Sequence, residues 1–320
     1  STLFPYTTLF RSVKFARAAY IAGCVGTACT ISDRDHGIPA IGTMAHSWVQ
    51  MFADEYDAFS AYCKMYPDNC VLLVDTYNVL KSGVPAAIKV FKEYKPKNMG
   101  IRIDSGDIAY LTKRSRKMLD DAGLEDCKIT ISNSLDEYLI RDVILEGAKV
   151  DSFGVGERLI TARSEPVFGG VYKLAALEKN GEIEPKIKIS ENIEKITNPG
   201  FKTLYRLYDK DSDKALADVM TLDGEKIPEK DGYVIFDPNA IWKTKTLNNF
   251  YVRNLRVQLF SHGERVYDCP PIEQVRAYCA SQMETIWEET LRFENPQTYY
   301  VDLSHNLWDM KNELIKKHTN

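Results

Sequence analysis

Four polar residues recur at equal intervals along this chain: His46, Asp75, Asp104 and Asn133, each 29 residues beyond the last. A histidine can pass a proton or accept a phosphoryl group, and carboxylates can hold a metal or a sugar hydroxyl. In GTMAHSWVQMF (42–52), Gly42, Thr43 and His46 fall where a strand gives way to a helix, and free amide donors there favour an anion. A lone histidine in such a place is often only a hydrogen-bonded structural group; the repeated interval gives His46 a second reading. RIDSGD (102–107) sets a guanidinium and two carboxylates around a Ser-Gly turn. That set suits a phosphorylated sugar with a divalent cation: a fork for oxygens from Arg102, and an acid for the metal or ribose hydroxyls from Asp104. Only one of the two acids is required, and Asp107 reads as a helix cap. Arg102 lies within an apolar strand and must find partners, because an unpaired buried guanidinium is costly.

Two further segments point to phosphate. In GVGERLIT (154–161), Gly154 and Gly156 end a strand and let backbone amides approach an anion. The segment fails as a dinucleotide fingerprint, since Leu159 takes the third glycine position. GGVYKL (169–174) and KIKISENIEKITNPGFK (186–202) add Lys173, Lys188, Lys195 and Lys202, of which one or two are expected to meet a strongly negative ligand. The chain has no Walker A loop, no nucleophile elbow and no H-E-x-x-H pair, which argues against a P-loop NTPase, a common esterase and a zinc protease.

The elements that must position these residues alternate. IPAIGT (38–43), CVLLVD (70–75), MGIRID (99–104), KITISN (128–133) and DSFGVG (151–156) read as strands. Between them, residues 108–123 place Ile108, Leu111, Met118 and Leu119 near one helical face, and residues 135–148 behave alike. Strand then helix, repeated, predicts a parallel sheet with right-handed crossovers. Polar residues at the carboxyl ends of strands fit a βα barrel, although an open doubly wound sheet would also bind ligands there. After about residue 189 the pattern changes. Residues 200–225 alternate like antiparallel strands, with turns at Asp211 and Asp223, and residues 272–292 and 303–318 read as helices. The expected organisation is an α/β barrel domain over 13–199, then a β layer with C-terminal helices over 200–320.

With 320 residues, 44% of them hydrophobic and 27% charged, the chain can bury a full core. A net charge of -4 gives no bulk attraction to nucleic acid or anionic lipid, so neither is expected as a partner. No apolar run approaches the roughly 20 residues that span a bilayer, and a cytoplasmic location is the default expectation. Seven cysteines without a C-x-x-C pair are expected to be reduced thiols. Residues 1–12, STLFPYTTLFRS, lack helical or strand periodicity and read as a non-native segment, like a translated sequencing adapter.

Taken in order, GTMAHSWVQMF, VDTYN, IRIDSGD, ISNSLDE, GVGERLIT, GGVYKL and KISENIEKITNPGFK resemble the nicotinate phosphoribosyltransferase family, from about Phe15 to the carboxyl terminus. The resemblance implies an irregular βα barrel of the type II phosphoribosyltransferase kind. It implies joining of nicotinate to phosphoribosyl pyrophosphate in NAD salvage, with Mg2+ required, ATP as co-substrate and a homodimer as the assembly. It also implies roles. His46 would be phosphorylated by ATP; Arg102 and Asp104 would hold the ribosyl pyrophosphate and the pyridine carboxylate region. Asp75, with Asp104, would order the metal, and Thr43, Ser132, Asn133, Gly154, Gly156, Lys173 and Lys188 would bind substrate or phosphate. The family's amino-terminal β domain and an arginine-rich segment before FARAAYIAGC are expected to be missing. The alternatives are nicotinamide phosphoribosyltransferase, or a truncated inactive chain that still binds phosphate-bearing ligands.

Overall fold

The structure is a computed structural model that describes residues 4–167 and 169–319. Its contacts divide the chain into two units, Ser1–Phe168 and Gly169–Asn320. The division falls earlier than the boundary expected at 199/200, because the hairpin formed by residues 176–185 belongs with the later strands.

In the first unit the β-branched runs form strands and the amphipathic runs form helices. The order is α1 (Phe4–Ile21), α2 (Thr30–His36), α3 (His46–Gln50), α4 (Glu55–Met65), β1 (Cys70–Leu73), α5 (Val84–Tyr94) and β2 (Met99–Ile103). Then come α6 (Ile108–Asp121), β3 (Lys128–Ile131), α7 (Glu137–Leu145), β4 (Ser152–Phe153) and α8 (Glu157–Ile160). The strands lie parallel in the order β1-β2-β3-β4. Leu72, Leu73, Ile101, Ile103, Ile129 and Ile131 are all buried, as in a sheet covered on both faces. Ala58, Phe59 and Cys63 of α4 and Val84, Ala87, Val90 and Phe91 of α5 pack into the same core. On α6, Leu119 is buried with Ile108, Leu111 and Met118 packed beside the core, the face the sequence predicts. α7 forms where expected but buries none of its residues. The α/β class is as expected, while among the described residues the four strands form an open row.

Three expectations change. IPAIGT is not a strand: Pro39 has no N–H to donate, Gly37 bends the chain at φ 67°, and only a bridge between Thr27 and Ala40 forms. Residues 4–12, expected to stand outside the fold, continue into residues 13–21 as one helix, α1. Pro5 lies in its first turn, where a missing N–H costs nothing. The two-residue β4 is also much shorter than the six residues read from DSFGVG.

A π-helical turn, Val79–Gly83, links β1 to α5, and the Asn78 side chain caps it by accepting from Lys81 N at 2.8 Å. Gly83 is pressed against the end of β1. A Cβ there would lie 1.9 Å from the carbonyl oxygen of Val74.

The second unit opens with the antiparallel hairpin β5 (Ala176–Lys179) and β6 (Glu182–Pro185). Next come β7 (Lys202–Asp209) and β8 (Ala215–Leu222), antiparallel as expected for residues 200–225, with Asp209 capping the turn between them. A second hairpin comes next, β9 (Tyr233–Asp237) with β10 (Ala240–Leu247), then β11 (Phe250–Asn254) and the short pair β12 (Phe260–Ser261) and β13 (Glu264–Arg265). The chain ends with α9 (Ile272–Glu284), β14 (Val301–Leu303) and α10 (His305–Thr319). The main sheet runs β11-β7-β8-β14, and Leu207, Ala217, Val219, Ile235, Leu247 and Phe250 form its core. Arg206 forks onto Asp218 at 2.7 and 2.9 Å, and the Tyr299 hydroxyl donates to the same carboxylate at 2.9 Å. Asp302 on β14 is only 4% exposed, and burial, with Asp237 nearby, pushes its carboxyl up to about 6. All seven cysteines are free, as expected, and burial drives the Cys127 thiol up to about 12.

Gly83→Ala is expected to destabilise the chain by about 1–3 kcal/mol, since backbone must move to admit the methyl; urea unfolding measures it. Asp302 holds its proton more tightly folded than unfolded, so its stabilising contribution is complete below about pH 4 and is lost as pH rises through about 6. Asp302→Asn should therefore raise stability at pH 7.5 by on the order of 2 kcal/mol and leave it unchanged at pH 4. Equal gains at both pH values would contradict that origin.

Candidate active site

The ladder of the parallel sheet fixes where the polar residues emerge. Beyond the paired residues, Val74 N bonds Arg102 O at 3.1 Å, Ser132 N bonds Ile103 O at 3.1 Å and Gly154 N bonds Ile131 O at 2.7 Å. Asp75, Asp104, Ser132 and Gly154 thus leave adjacent strands at one level, the carboxyl edge of the sheet.

Where the ladder runs out, side chains take over its bonds. Asp75 Oδ2 accepts from Asp104 N at 3.0 Å and from Ser105 Oγ at 2.6 Å, which ties β1 to the turn after β2. The other oxygen, Oδ1, is buried with no hydrogen-bond partner, and the Asp75 side chain is 1% exposed. Arg102 has the partners its position demands. Its Nε donates to Ser132 Oγ at 2.8 Å, one Nη to Thr43 Oγ1 at 3.0 Å and the other to Asp104 Oδ1 at 3.3 Å. Ser132 Oγ in turn donates to Asp104 Oδ1, so Arg102, Ser132 and Asp104 close a ring of charge-assisted bonds.

His46 is the first residue of α3 and 40% exposed at its side chain. Its Nδ1 lies 3.1 Å from Thr76 Oγ1, which sets the ring so that Nε2 faces the carboxylates, 3.9 Å from both Asp75 Oδ1 and Asp104 Oδ2. Neither separation is a hydrogen bond. The arrangement therefore presents one imidazole nitrogen and two carboxylate oxygens toward a common space, with a guanidinium held beside them.

Not all of the expected residues join this cluster by described hydrogen bonds or ion pairs. His46, Asp75, Arg102, Asp104, Thr43 and Ser132 come together. Asn133 comes directly after Ser132 with φ 102°, a backbone conformation costly for a residue with a side chain, and among the described hydrogen bonds none ties its amide to the cluster. The residue that enters the network is Ser132, directly after β3 and one position before the even spacing predicts. Gly154 lies close under Ser132, and a Cβ there would come within 3.2 Å of Ser132 Cβ. Gly156 caps the four-residue α8, with open space where a side chain would be. Asp107 is the expected helix cap, accepting from Tyr110 N at 2.9 Å. Lys173 and Lys188 belong to the second unit, where Lys173 Nζ donates to Lys195 O at 2.6 Å and Lys188 O accepts from Thr197 N at 3.2 Å. Thr76 and Ser105 escape the sequence reading, although each adjoins a chosen residue, Thr76 in VDTYN and Ser105 in RIDSGD.

A divalent cation can be tested against these donors. No three His, Cys, Asp or Glu side chains among the described residues are arranged to hold a metal by themselves. Magnesium is usually held by one or two carboxylates, with water and substrate phosphate completing its octahedron. The unpartnered Asp75 Oδ1, 3.9 Å from the same imidazole nitrogen as Asp104 Oδ2, fits that pattern.

Residues 201–311 match the family described as nicotinate phosphoribosyltransferase C-terminal domain. The chain is 41% identical to a nicotinate phosphoribosyltransferase of Bacillus subtilis over 94% of its own length, and 31% identical to one from Dictyostelium discoideum over 95%. It spans 61% and 60% of those relatives' lengths. Its fold matches the crystal structure of human nicotinic acid phosphoribosyltransferase with a TM-score of 0.73 at 24% identity, covering 94% of this chain and 66% of that one. No helix among the described residues is long and apolar enough to cross a membrane.

Ser132→Ala removes one acceptor from Arg102 Nε and one donor to Asp104. It is expected to cost about 1–3 kcal/mol in urea unfolding, the penalty of a half-satisfied polar network. Unchanged stability would mean that water replaces the serine freely.

Proposed function

The chain belongs to the nicotinate phosphoribosyltransferase family, and on that premise we propose that it transfers the phosphoribosyl group of phosphoribosyl pyrophosphate to nicotinate, yielding nicotinate mononucleotide and pyrophosphate. The observation that carries this reading is the closed ring of Arg102, Ser132 and Asp104 at the strand ends, with the His46 and Asp75 side chains facing the same space. In such a transfer the pyridine nitrogen bonds to the ribose anomeric carbon as the bond to pyrophosphate breaks. Positive charge develops on the sugar and negative charge on the leaving group. What the protein must supply is geometry and compensation for those charges.

Arg102 is suited to the departing pyrophosphate or the pyridine carboxylate, because three neighbours already fix its guanidinium and little ordering remains on binding. Asp104, anchored through Oδ1, keeps Oδ2 for a ribose hydroxyl or the metal. Asp75 Oδ1 is the second oxygen suited to magnesium, and when bound that ion would neutralise pyrophosphate charge. Thr43, Ser132 and the Gly154 and Gly156 amides are assigned to the phosphates, with Asn133 as a further ligand in the same proposal. His46, with Nδ1 held by Thr76, presents Nε2 as the acceptor of a phosphoryl group from ATP, which would couple ATP hydrolysis to transfer. A homodimer and a cytoplasmic location complete the reading.

Purified chain supplied with nicotinate, phosphoribosyl pyrophosphate, magnesium and ATP should form nicotinate mononucleotide, with nicotinamide a poor competitor. Arg102→Ala should lower the rate about a hundred- to a thousandfold, on the order of 3 kcal/mol in the barrier. His46→Ala should abolish ATP stimulation and leave ATP-independent transfer. Full activity in Arg102→Ala would remove that strand end from the site, and absence of acid-labile phosphate on the parent after incubation with ATP would remove the role given to His46.

A further inference from the structure

One ion pair beside the site is used by none of these roles. β4 is two residues long, and its ladder with β3 ends at the bond from Gly154 N to Ile131 O. Past that bond, residues 132–136 lead into α7 and residues 154–156 lead into α8. Helix packing fixes neither turn, because α7 and α8 bury none of their residues.

The first turn holds two consecutive residues with side chains in left-handed backbone, Asn133 at φ 102° and Ser134 at φ 50°, directly after Ser132. Such a conformation persists only where the surroundings enforce it. Buried Leu135 anchors one side of the turn. On the other, Asp136 uses both carboxylate oxygens. Its Oδ1 accepts from Leu139 N at 2.9 Å and caps α7, while Oδ2 accepts from Nη1 of Arg158, the second residue of α8. The Asp136 and Arg158 side chains are only 16% and 26% exposed, so the pair is partly shielded from water. Among the described hydrogen bonds, the N–H groups of Asn133, Ser134, Val155 and Gly156 have no acceptor within the chain. An anionic oxygen can use such donors, and their spacing depends on how the two turns are held together.

We propose that Asp136 and Arg158 are a positioning pair: they hold the turn after β3 against the turn after β4, and so set the backbone N–H groups that receive the phosphate end of phosphoribosyl pyrophosphate. This rests on the reading of the neighbouring cluster as the site of phosphoribosyl transfer. Both side chains act through the backbone, not by contact with substrate.

The test compares Asp136→Asn, Arg158→Met and the double variant. Asparagine keeps an oxygen for Leu139 N and caps a helix as well as aspartate does, so it removes the ionic half alone. Each single change should raise the KM for phosphoribosyl pyrophosphate about tenfold, with kcat and the KM for nicotinate within about twofold of the parent. The double variant should be no worse than the more impaired single one, because both changes break one interaction. Arg158→Lys, which keeps the charge, should recover most of the loss, and Arg158→Gln replaces the methionine variant if that one does not fold. Additive losses, an unchanged KM for phosphoribosyl pyrophosphate, or an equal rise in both KM values overturns the proposal. A parent chain that transfers no phosphoribosyl group would defeat the functional reading instead. Hydrogen exchange at Leu139, Ile140 and Ile160, whose N–H groups are bonded within the two turns, then decides: quickening in Arg158→Met supports the clamp, and unchanged exchange overturns it.

Discussion

The site depends on how one carboxylate ends a sheet. Parallel strands stop pairing at their carboxyl ends and leave backbone N–H groups that must be satisfied. Asp75 Oδ2 takes the N–H of Asp104 and the hydroxyl of Ser105, so the last bond of the β1–β2 ladder is made by a side chain. That single substitution has two results. It locks the turn of RIDSGD in place, and it leaves a second oxygen, Oδ1, buried and unpaired beside His46. An unpaired buried oxygen lowers stability, and such groups are retained where a ligand or a cation completes them.

Around that pin, each remaining group is held by a different element. β2 supplies Arg102 and Asp104, β3 leads into Ser132, and α3 begins with His46. The guanidinium links the chain before α3 to the end of β3 through Thr43 and Ser132, so the cluster is braced across the sheet as well as along each strand. Close backbone contact at Gly83 and Gly154 brings neighbouring segments within van der Waals reach of the strand ends. The result is a site whose side chains are held by one another at the ends of rigid strands, the kind of arrangement that loses little entropy when a charged substrate binds.

Much of this is legible in the sequence because the physics is local or periodic. β-branched runs ending in a polar residue mark β1, β2 and β3, and an arginine inside an apolar strand has to be paired. The motifs in their order point to the family. IPAIGT misleads because its composition is that of a strand, while pairing depends on a neighbour and Pro39 cannot donate. The even interval places one rung at Asn133, but alternation along β3 sends Ser132 into the network. Thr76 and Ser105 act through contacts 30 residues away in sequence, so no spacing rule marks them. The boundary between units is likewise hidden, since the hairpin of β5 and β6 groups with the later strands.

The most direct measurement is calorimetric titration of phosphoribosyl pyrophosphate, with and without magnesium, into the parent chain and Asp75→Asn. The asparagine keeps an acceptor for Asp104 N and Ser105 Oγ and places a neutral amide where the unpaired oxygen stood. If that oxygen is held for the metal and its ligand, the variant should fold as the parent does and lose most of the magnesium-dependent affinity, a drop of tenfold or more, about 1.4 kcal/mol. Equal affinity and equal magnesium dependence in the two proteins would contradict it, and would make Asp75 a brace for the strand ends and nothing more.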